Sequence, residues 1–259
     1  MDGPMIQVRN LHKRYGSLTV LKGLNLEVKQ GEILVILGRS GVGKSVLLRH
    51  IIGIEKPDSG SIEVNGIDIT ACKKNAIYTA VKNMGMLFQG SALFDSMNIE
   101  QNTAFYLKQH GDPVTKKPFS DSLIHHKVKE ALAMVGLEGT EKKMPSDLSG
   151  GMRKRAGLAR LIVYRPSILL YDEPTTGLDP ITAQQINELI VQTQKELKGT
   201  SVVVTHDIHS AFYIADRLAL HQDGKIAYLA DPKTFLTIDD PTIHFLKETL
   251  SHTLRKKDF

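Results

Sequence analysis

The sequence predicts an α/β fold with a mostly parallel sheet, and three observations carry that prediction. Three short apolar runs, "ILVIL" at 33–37, "SILLY" at 167–171 and "SVVVT" at 201–205, each suit a strand covered on both faces. The segment between the second and third, 181–198, reads as a helix, so strand, helix and strand follow as a βαβ unit. The first third instead alternates apolar with polar residues, the pattern of half-buried strands.

Taken in order, "MIQVRN", "LNLEV" and "SIEVNG" supply that alternation, punctuated by Gly16, Gly23, Gly31, Gly60 and Gly66. The run 33–37 lies among them and leads into a helix, "SVLLRHIIG", with Val46, Leu47, Leu48, Ile51 and Ile52 as its buried side. From 98 to 164 the pattern is mostly helical; "HHKVKEALAMVGL" spaces its apolar residues by three and four. A polar, proline-containing stretch at 110–121 is expected as an exposed loop. A late hairpin turns at Asp223-Gly224. The core is therefore built from both ends of the chain, 1–97 and 165–246, around a helical insertion, 98–164. A tail, 247–259, follows.

The chain has 259 residues, enough for one sizeable core or two small ones. Its single cysteine, Cys72, excludes an intramolecular disulfide and a cysteine zinc cluster, which fits a reducing compartment. No run approaches the ~20 apolar residues of a membrane helix. The start shows no basic segment followed by an apolar one, so no secretion signal is expected. If the chain works at a membrane, another subunit must cross it. The net charge of +5 suits an anionic ligand, a nucleic acid or an acidic lipid surface without choosing among them. The basic runs "MRKR" at 152–155 and "LRKK" at 254–257 read as solvated faces.

"GRSGVGKS" at 38–45 fits G-x-x-x-x-G-K-[ST], after an apolar strand and before a helix. Gly38, Gly41 and Gly43 allow backbone N–H groups to curl around phosphate oxygens, and the helix points its positive end at them. Lys44 brings a charge to the β- and γ-phosphates, and Ser45 can ligate Mg²⁺. Arg39, Ser40, Val42 and Val46 complete the loop and its exit as nucleotide-contacting positions.

"ILLYDEP" at 168–174 ends a buried strand in Asp172 and Glu173. Adjacent carboxylates repel each other; a bound Mg²⁺ resolves this for Asp172, and Glu173 then serves as general base or water-positioner. "VVVTHD" places His206 at the end of the next strand. In an open parallel sheet such strand ends share one rim, where ligands bind. Alone, an Asp-Glu pair is usually surface and a histidine after a strand usually structural; their order behind a phosphate loop argues otherwise.

With these motifs the sequence resembles the ATP-binding subunits of ABC transporters over roughly 6–232. The resemblance adds Gln89 in "MLFQGS", the signature "LSGG" at 148–151, "TTGLDP" at 175–180 and Tyr15 in "KRYGS". It implies a P-loop NTPase (RecA-like) core, an antiparallel β subdomain from the N-terminal third and an inserted α-helical subdomain. It also implies that two copies pack head to tail around two ATP molecules. Ser149, Gly150 and Gly151 of one copy would then complete the γ-phosphate site of the other, with Asp179 crossing the same junction. Ser149 also reads as the N-cap of a helix through "MRKRAGLARLIV". Gln89 would sense the γ-phosphate and Mg²⁺, joining Ser45 and Asp172 as metal ligands, Asp172 through water. Tyr15 would stack on adenine; ordinary packing is the competing reading. Leu93, Phe94 and Met97 would meet a multi-spanning permease, unless they belong to the domain's own core.

Met152 in place of the usual glutamine, and "GMLFQGSALFDSMNIEQNTAF", look like the Mla/Mce-type lipid transporter ATPases. That branch implies phospholipid or related lipid cargo, a permease, an Mce-domain protein and a STAS-domain regulator. It implies peripheral attachment at the cytoplasmic face of the inner (plasma) membrane. The alternatives are a transporter of an amino acid, metal or drug, and a soluble ABC ATPase acting on ribosomes or DNA. One cassette without a long heptad run disfavours the last, and no nucleic-acid partner is expected.

Overall fold

A computed structural model describes residues 3–72, 74–112 and 117–255, with side chains omitted at 74–76 and 252–255. In chain order its elements are β1 (Ile6–Tyr15), β2 (Leu18–Val28), β3 (Ile33–Leu37), α1 (Lys44–Ile51), β4 (Ser59–Val64), β5 (Ile67–Asp68) and α2 (Lys74–Val81). Then come β6 (Met84–Leu87), α3 (Ile99–His110), α4 (Asp121–Met134), α5 (Gly150–Ile162), β7 (Ile168–Asp172) and α6 (Pro180–Leu197). The last are β8 (Thr200–Thr205), α7 (Ile208–Ile214), β9 (Arg217–Gln222), β10 (Lys225–Ala230), α8 (Pro232–Phe235) and α9 (Pro241–Arg255). They form two compact units, Met1–Lys82 with Thr200–Phe259, and Asn83–Gly199.

In the first unit, β2, β1, β4 and β5 make an antiparallel sheet in that order. Here the alternation predicted from sequence is met: Ile6, Val8, Ile62 and Val64 are buried, and their strand neighbours are less so. β3 runs parallel to both β8 and β9, and β10 returns antiparallel to β9 across Asp223-Gly224. All five residues of β3 and all six of β8 are buried, as continuous apolar runs require. Polar locks fix the start of β3. Ile33 N donates to Asp216 Oδ2 at 2.8 Å, and Arg217 reaches Glu32 at 3.1 Å. On α1, Leu47, Leu48 and Ile51 are buried as expected; Val46 and Ile52 are only half-buried, and His50 takes an inward place instead.

In the second unit β6 and β7 pair in parallel, Leu87 opposite Tyr171. Helices α3, α4, α5 and α6 belong to the same unit, each started by a side-chain cap. Asn98 and Gln101 form a reciprocal capping box on α3, Ser120 caps α4, Ser149 caps α5, and Asp179 caps α6 ahead of Pro180. Asn102, fully buried, donates to the carbonyls of Phe94, Met97 and Asn98 and so fastens the irregular segment before α3.

Several expectations need correction. The break at 110–121 is shorter, because α3 continues to His110 and α4 begins at Asp121; residues 113–116 of it lie outside those described. The compact units divide at 82/83 and 199/200, and the boundary drawn at 246/247 falls inside α9. Strand β6 and helices α2, α7, α8 and α9 were not anticipated. "MRKR" is not a solvated face throughout: Lys154 is 6% exposed. The side chains of "LRKK" lie outside those described. Among the described residues, no helix is long and apolar enough to cross a membrane.

Candidate functional site

The first unit carries the phosphate loop, Tyr15 and His206. Leu37 pairs with Thr205 across the parallel strands β3 and β8, so Gly38 and His206 leave the sheet at the same edge. That edge is the carboxyl end of both strands, where parallel sheets bind ligands. The loop is shaped by its glycines. Gly41 has φ +80 with open space where a β-carbon would be, and Gly43 has φ +108, where a β-carbon would overlap Val20 Cγ1. A β-carbon on Gly38 would lie 2.7 Å from the His221 carbonyl. Arg39, Ser40 and Gly41 are exposed, Val42, Ser45 and Val46 half-buried. Lys44, 4% exposed, donates from Nζ to the carbonyls of Gly38 at 2.7 Å and Arg39 at 3.0 Å, which holds its ammonium inside the curl. Helix α1 begins there without a side-chain cap or an acidic residue in its first turn. An anion is therefore the fitting complement for its N-terminal N–H groups.

Behind the loop sits His221 on β9, a residue not singled out from the sequence. It is 2% exposed, and among the described residues neither ring nitrogen has a hydrogen-bond partner. Burial, and then the nearby Lys44 charge, push its pKa down to about 4, so the ring is neutral at physiological pH. Tyr15 is 41% exposed, and Lys13 Nζ lies 5.3 Å from its ring centroid. Its hydroxyl donates to Glu55, which also accepts from Lys13 at 3.2 Å and Arg49 at 3.5 Å. Burial raises the Tyr15 phenol and the bond to Glu55 raises it further; burial works against the Glu55 carboxylate, but Tyr15 and Lys13 hold its pKa below the usual value.

The second unit carries Gln89, Asp172, Glu173, the signature and Asp179. Because Leu87 pairs with Tyr171, Gln89 and the two carboxylates also leave β6 and β7 at one edge. Asp172 and Glu173 are each 7% exposed, while Gln89 is exposed. Glu173 has φ 49, a left-handed conformation that costs a non-glycine residue on the order of 1 kcal/mol and gathers at functional sites. Thr176 Oγ1 donates to Glu173 Oε2 at 3.0 Å and orients the carboxylate. Lys154 reaches in from α5, donating to the main-chain carbonyl of Gln89 and to that of Glu173 at 3.5 Å. Burial lowers its pKa, opposed by the Asp172 and then the Glu173 carboxylate.

Ser149 is exposed and accepts from Met152 N at 3.3 Å, the expected N-cap. Gly150 is exposed, Gly151 buried and Met152 half-buried. Asp179, exposed, accepts from Ile181 N, Thr182 N and Thr182 Oγ1, and the Thr182 hydroxyl above all holds its pKa below the usual range. Phe94 is 37% exposed, while Leu93 and Met97 are half-buried. Beside Phe94 lies a cavity of about 210 Å³ lined in part by Phe88, Phe105, Tyr106, Arg160 and Tyr164.

Against known proteins, the ABC transporter family model matches residues 21–176. The chain belongs to the ABC transporter family. This ABC cassette is 42% identical over 93% of its length to the probable ribonucleotide transport ATP-binding protein mkl of Mycobacterium tuberculosis, and it spans 66% of that relative. It is 39% identical over 95% of its length, and 92% of the relative's, to the intermembrane phospholipid transport system ATP-binding protein MlaF of Haemophilus influenzae. Among solved structures it superposes with a TM-score of 0.77 on a dimeric ATP-binding cassette in a post-hydrolysis state bound to ADP and Pi. That match is 29% identical and covers 88% of this chain and 98% of the other. The family and the P-loop NTPase fold expected from sequence therefore hold for this cassette.

The groups that nucleotide and metal would need are present. The glycine curl with an inward lysine fits a polyphosphate. Among the described residues no cluster of three or more His, Cys, Asp or Glu could hold a metal. Ser45 in the first unit, and Gln89 and Asp172 in the second, each carry an oxygen donor of the kind a hard cation such as Mg²⁺ takes.

Proposed function

We propose that this chain is the ATP-hydrolysing subunit of an ABC transporter that moves phospholipid or a related lipid between membranes of the cell envelope. The observation that carries the cargo is the phospholipid-transport relative, matched over 92% of its own length. In this reading Gly38–Val46 wrap the phosphates, Lys44 neutralises the β- and γ-oxygens, and Tyr15 stacks on adenine. Mg²⁺, held by Ser45, Gln89 and Asp172 (the last through water), would offset negative charge on the transferring phosphoryl group. Glu173 takes the proton of the attacking water or orients it. As the new P–O bond forms at the γ-phosphorus, the bond to the β-bridging oxygen breaks and ADP leaves. His206 supports the γ-phosphate.

Ser149, Gly150 and Gly151 act in trans, on the triphosphate held by a second copy, with Asp179 at the same junction. Nucleotide thus closes a homodimer, and hydrolysis opens it. The dimeric solved cassette supports this reading. Phe94 and its neighbours meet a multi-spanning permease, which anchors the chain at the cytoplasmic face of the inner membrane. An Mce-domain protein and a STAS-domain regulator are the further partners.

A second reading has its own support: the mycobacterial relative is named for ribonucleotide transport. The test is steady-state ATPase activity of the chain purified with its permease. Mg²⁺-dependent hydrolysis should collapse in Glu173→Gln, with ATP-loaded dimers accumulating, and phospholipid should co-purify. Full activity in Glu173→Gln sinks the assigned base. Stimulation by ribonucleotides without bound lipid transfers the cargo to the second reading.

A further inference from the structure

We infer that Lys154 is a positioning residue for hydrolysis, a buried cationic strut from the signature helix that fixes the main chains of Gln89 and Glu173 relative to each other. The inference rests on the reading of Glu173 as the residue that activates water.

Three observations converge on it. Lys154 is 6% exposed and donates to the Gln89 carbonyl and, at 3.5 Å, to the Glu173 carbonyl. The two carbonyls it joins belong to segments that leave adjacent parallel strands, β6 and β7. Glu173 has φ 49, a conformation that persists only where its surroundings hold it. A buried ammonium is costly unless fully engaged, so a lysine here is not a neutral choice of filler. Its charge also faces the Asp172 and Glu173 side chains, which no apolar residue could offset.

The rest of α5 shows the same habit. Arg160 donates to the Ala92 carbonyl, in the segment that follows Gln89. Arg155 donates to the Gly136 carbonyl at 3.3 Å. The basic residues of this helix thus grip loop main chains, and Lys154 is the one whose grip reaches the carboxylate pair. Displacing α5 along its axis would pull on Gln89 and Glu173 together. Both hydrogen bonds described for Lys154 stay within the second unit, so its removal should spare nucleotide affinity and slow the chemical step.

The experiment compares Lys154→Met, Lys154→Gln and Lys154→Arg with the unaltered chain, each purified with its permease. Initial rates across ATP concentration, equilibrium ATP binding and thermal melting are measured. Lys154→Met should lower kcat by about 10- to 100-fold, the scale of an ångström-sized misplacement, with KM for ATP within about threefold. Lys154→Arg, which keeps charge and donors, should restore most of the loss, and Lys154→Gln less. A folded Lys154→Met variant with kcat within about twofold of the unaltered chain overturns the inference. So does a parallel loss of ATP affinity and melting temperature in all three variants, or failure of all three to fold; each would make Lys154 purely structural. An unaltered complex that does not hydrolyse ATP would instead overturn the underlying assignment of function.

Discussion

A β-carbon on Gly151 would overlap the Cγ2 methyl of Thr182. Thr182 cannot turn aside freely, because its hydroxyl donates to Asp179 Oδ2 at 2.6 Å. The buried glycine of the signature and the cap of α6 are therefore packed as one piece. Gly150 differs: a β-carbon there would meet only Leu178 Cδ2, at 3.8 Å. Gly151→Ala should destabilise the fold by about 1–3 kcal/mol, the usual penalty for overpacking, measured by denaturant titration. Gly150→Ala should leave stability within about 1 kcal/mol. If the signature completes a phosphate site in trans, Gly150→Ala will still slow ATP hydrolysis, and a fully active variant would remove Gly150 from that site.

His221 makes acid stability predictable in sign. Its pKa falls to about 4 in the folded chain, below the ordinary histidine value of about 6.5, so between those values the unfolded chain binds more protons. Stability is then complete above pH 6.5, declines as pH drops through this window and loses its last His221 contribution near pH 4. The loss amounts to about 3 kcal/mol at most, from about 1.4 kcal/mol per unit. Between pH 7 and pH 4 the denaturation midpoint of the chain should fall relative to that of His221→Leu. Parallel curves would show that another group dominates.

The Tyr15 ring is held by its hydroxyl, through Glu55, to Lys13 and Arg49. Stacking needs only the ring face. Tyr15→Phe should therefore keep KM for ATP within about threefold, whereas Tyr15→Ala should raise it about tenfold, the worth of one aromatic contact of about 1 kcal/mol or slightly more. Equal KM values for the phenylalanine and alanine variants would exclude adenine stacking at this position.

Arg160 lies 4.3 Å above the Phe94 ring while donating to the Ala92 carbonyl. Arg160→Ala should release this segment and cost about 1 kcal/mol or more of stability. If Phe94 meets the permease, the same variant should reduce co-purification with it while the chain's own ATP binding stays intact. Unchanged permease recovery would place that contact elsewhere.

Much of the fold was legible because periodicity reports burial directly. The uninterrupted runs at 33–37, 167–171 and 201–205 became strands covered on both sides, and Asp223-Gly224 became a hairpin turn. Ser149 as a helix cap was legible for a local reason: a serine before a helical run satisfies an N–H within three residues. Lys154 was misread because a cluster of basic residues usually faces water. A signal existed: it lies three residues after Gly151 and four before Leu158, on the buried stripe of the same helix. The short strand β6 carries too few residues for a period, and its glycine breaks the apolar pattern.

From the sequence alone came the family, the order of the phosphate loop, signature and acidic pair, and the Ser149 cap of α5, because each is encoded within a few consecutive residues. Only the tertiary structure decided that Lys154 joins Gln89 to Glu173, that His221 lies neutral behind Gly38, and that Glu55 steadies Tyr15. These relations join residues 40 to 183 positions apart, or 19 apart on different elements. Local pattern carries no record of which distant carbonyl a buried side chain will meet; close packing makes that choice.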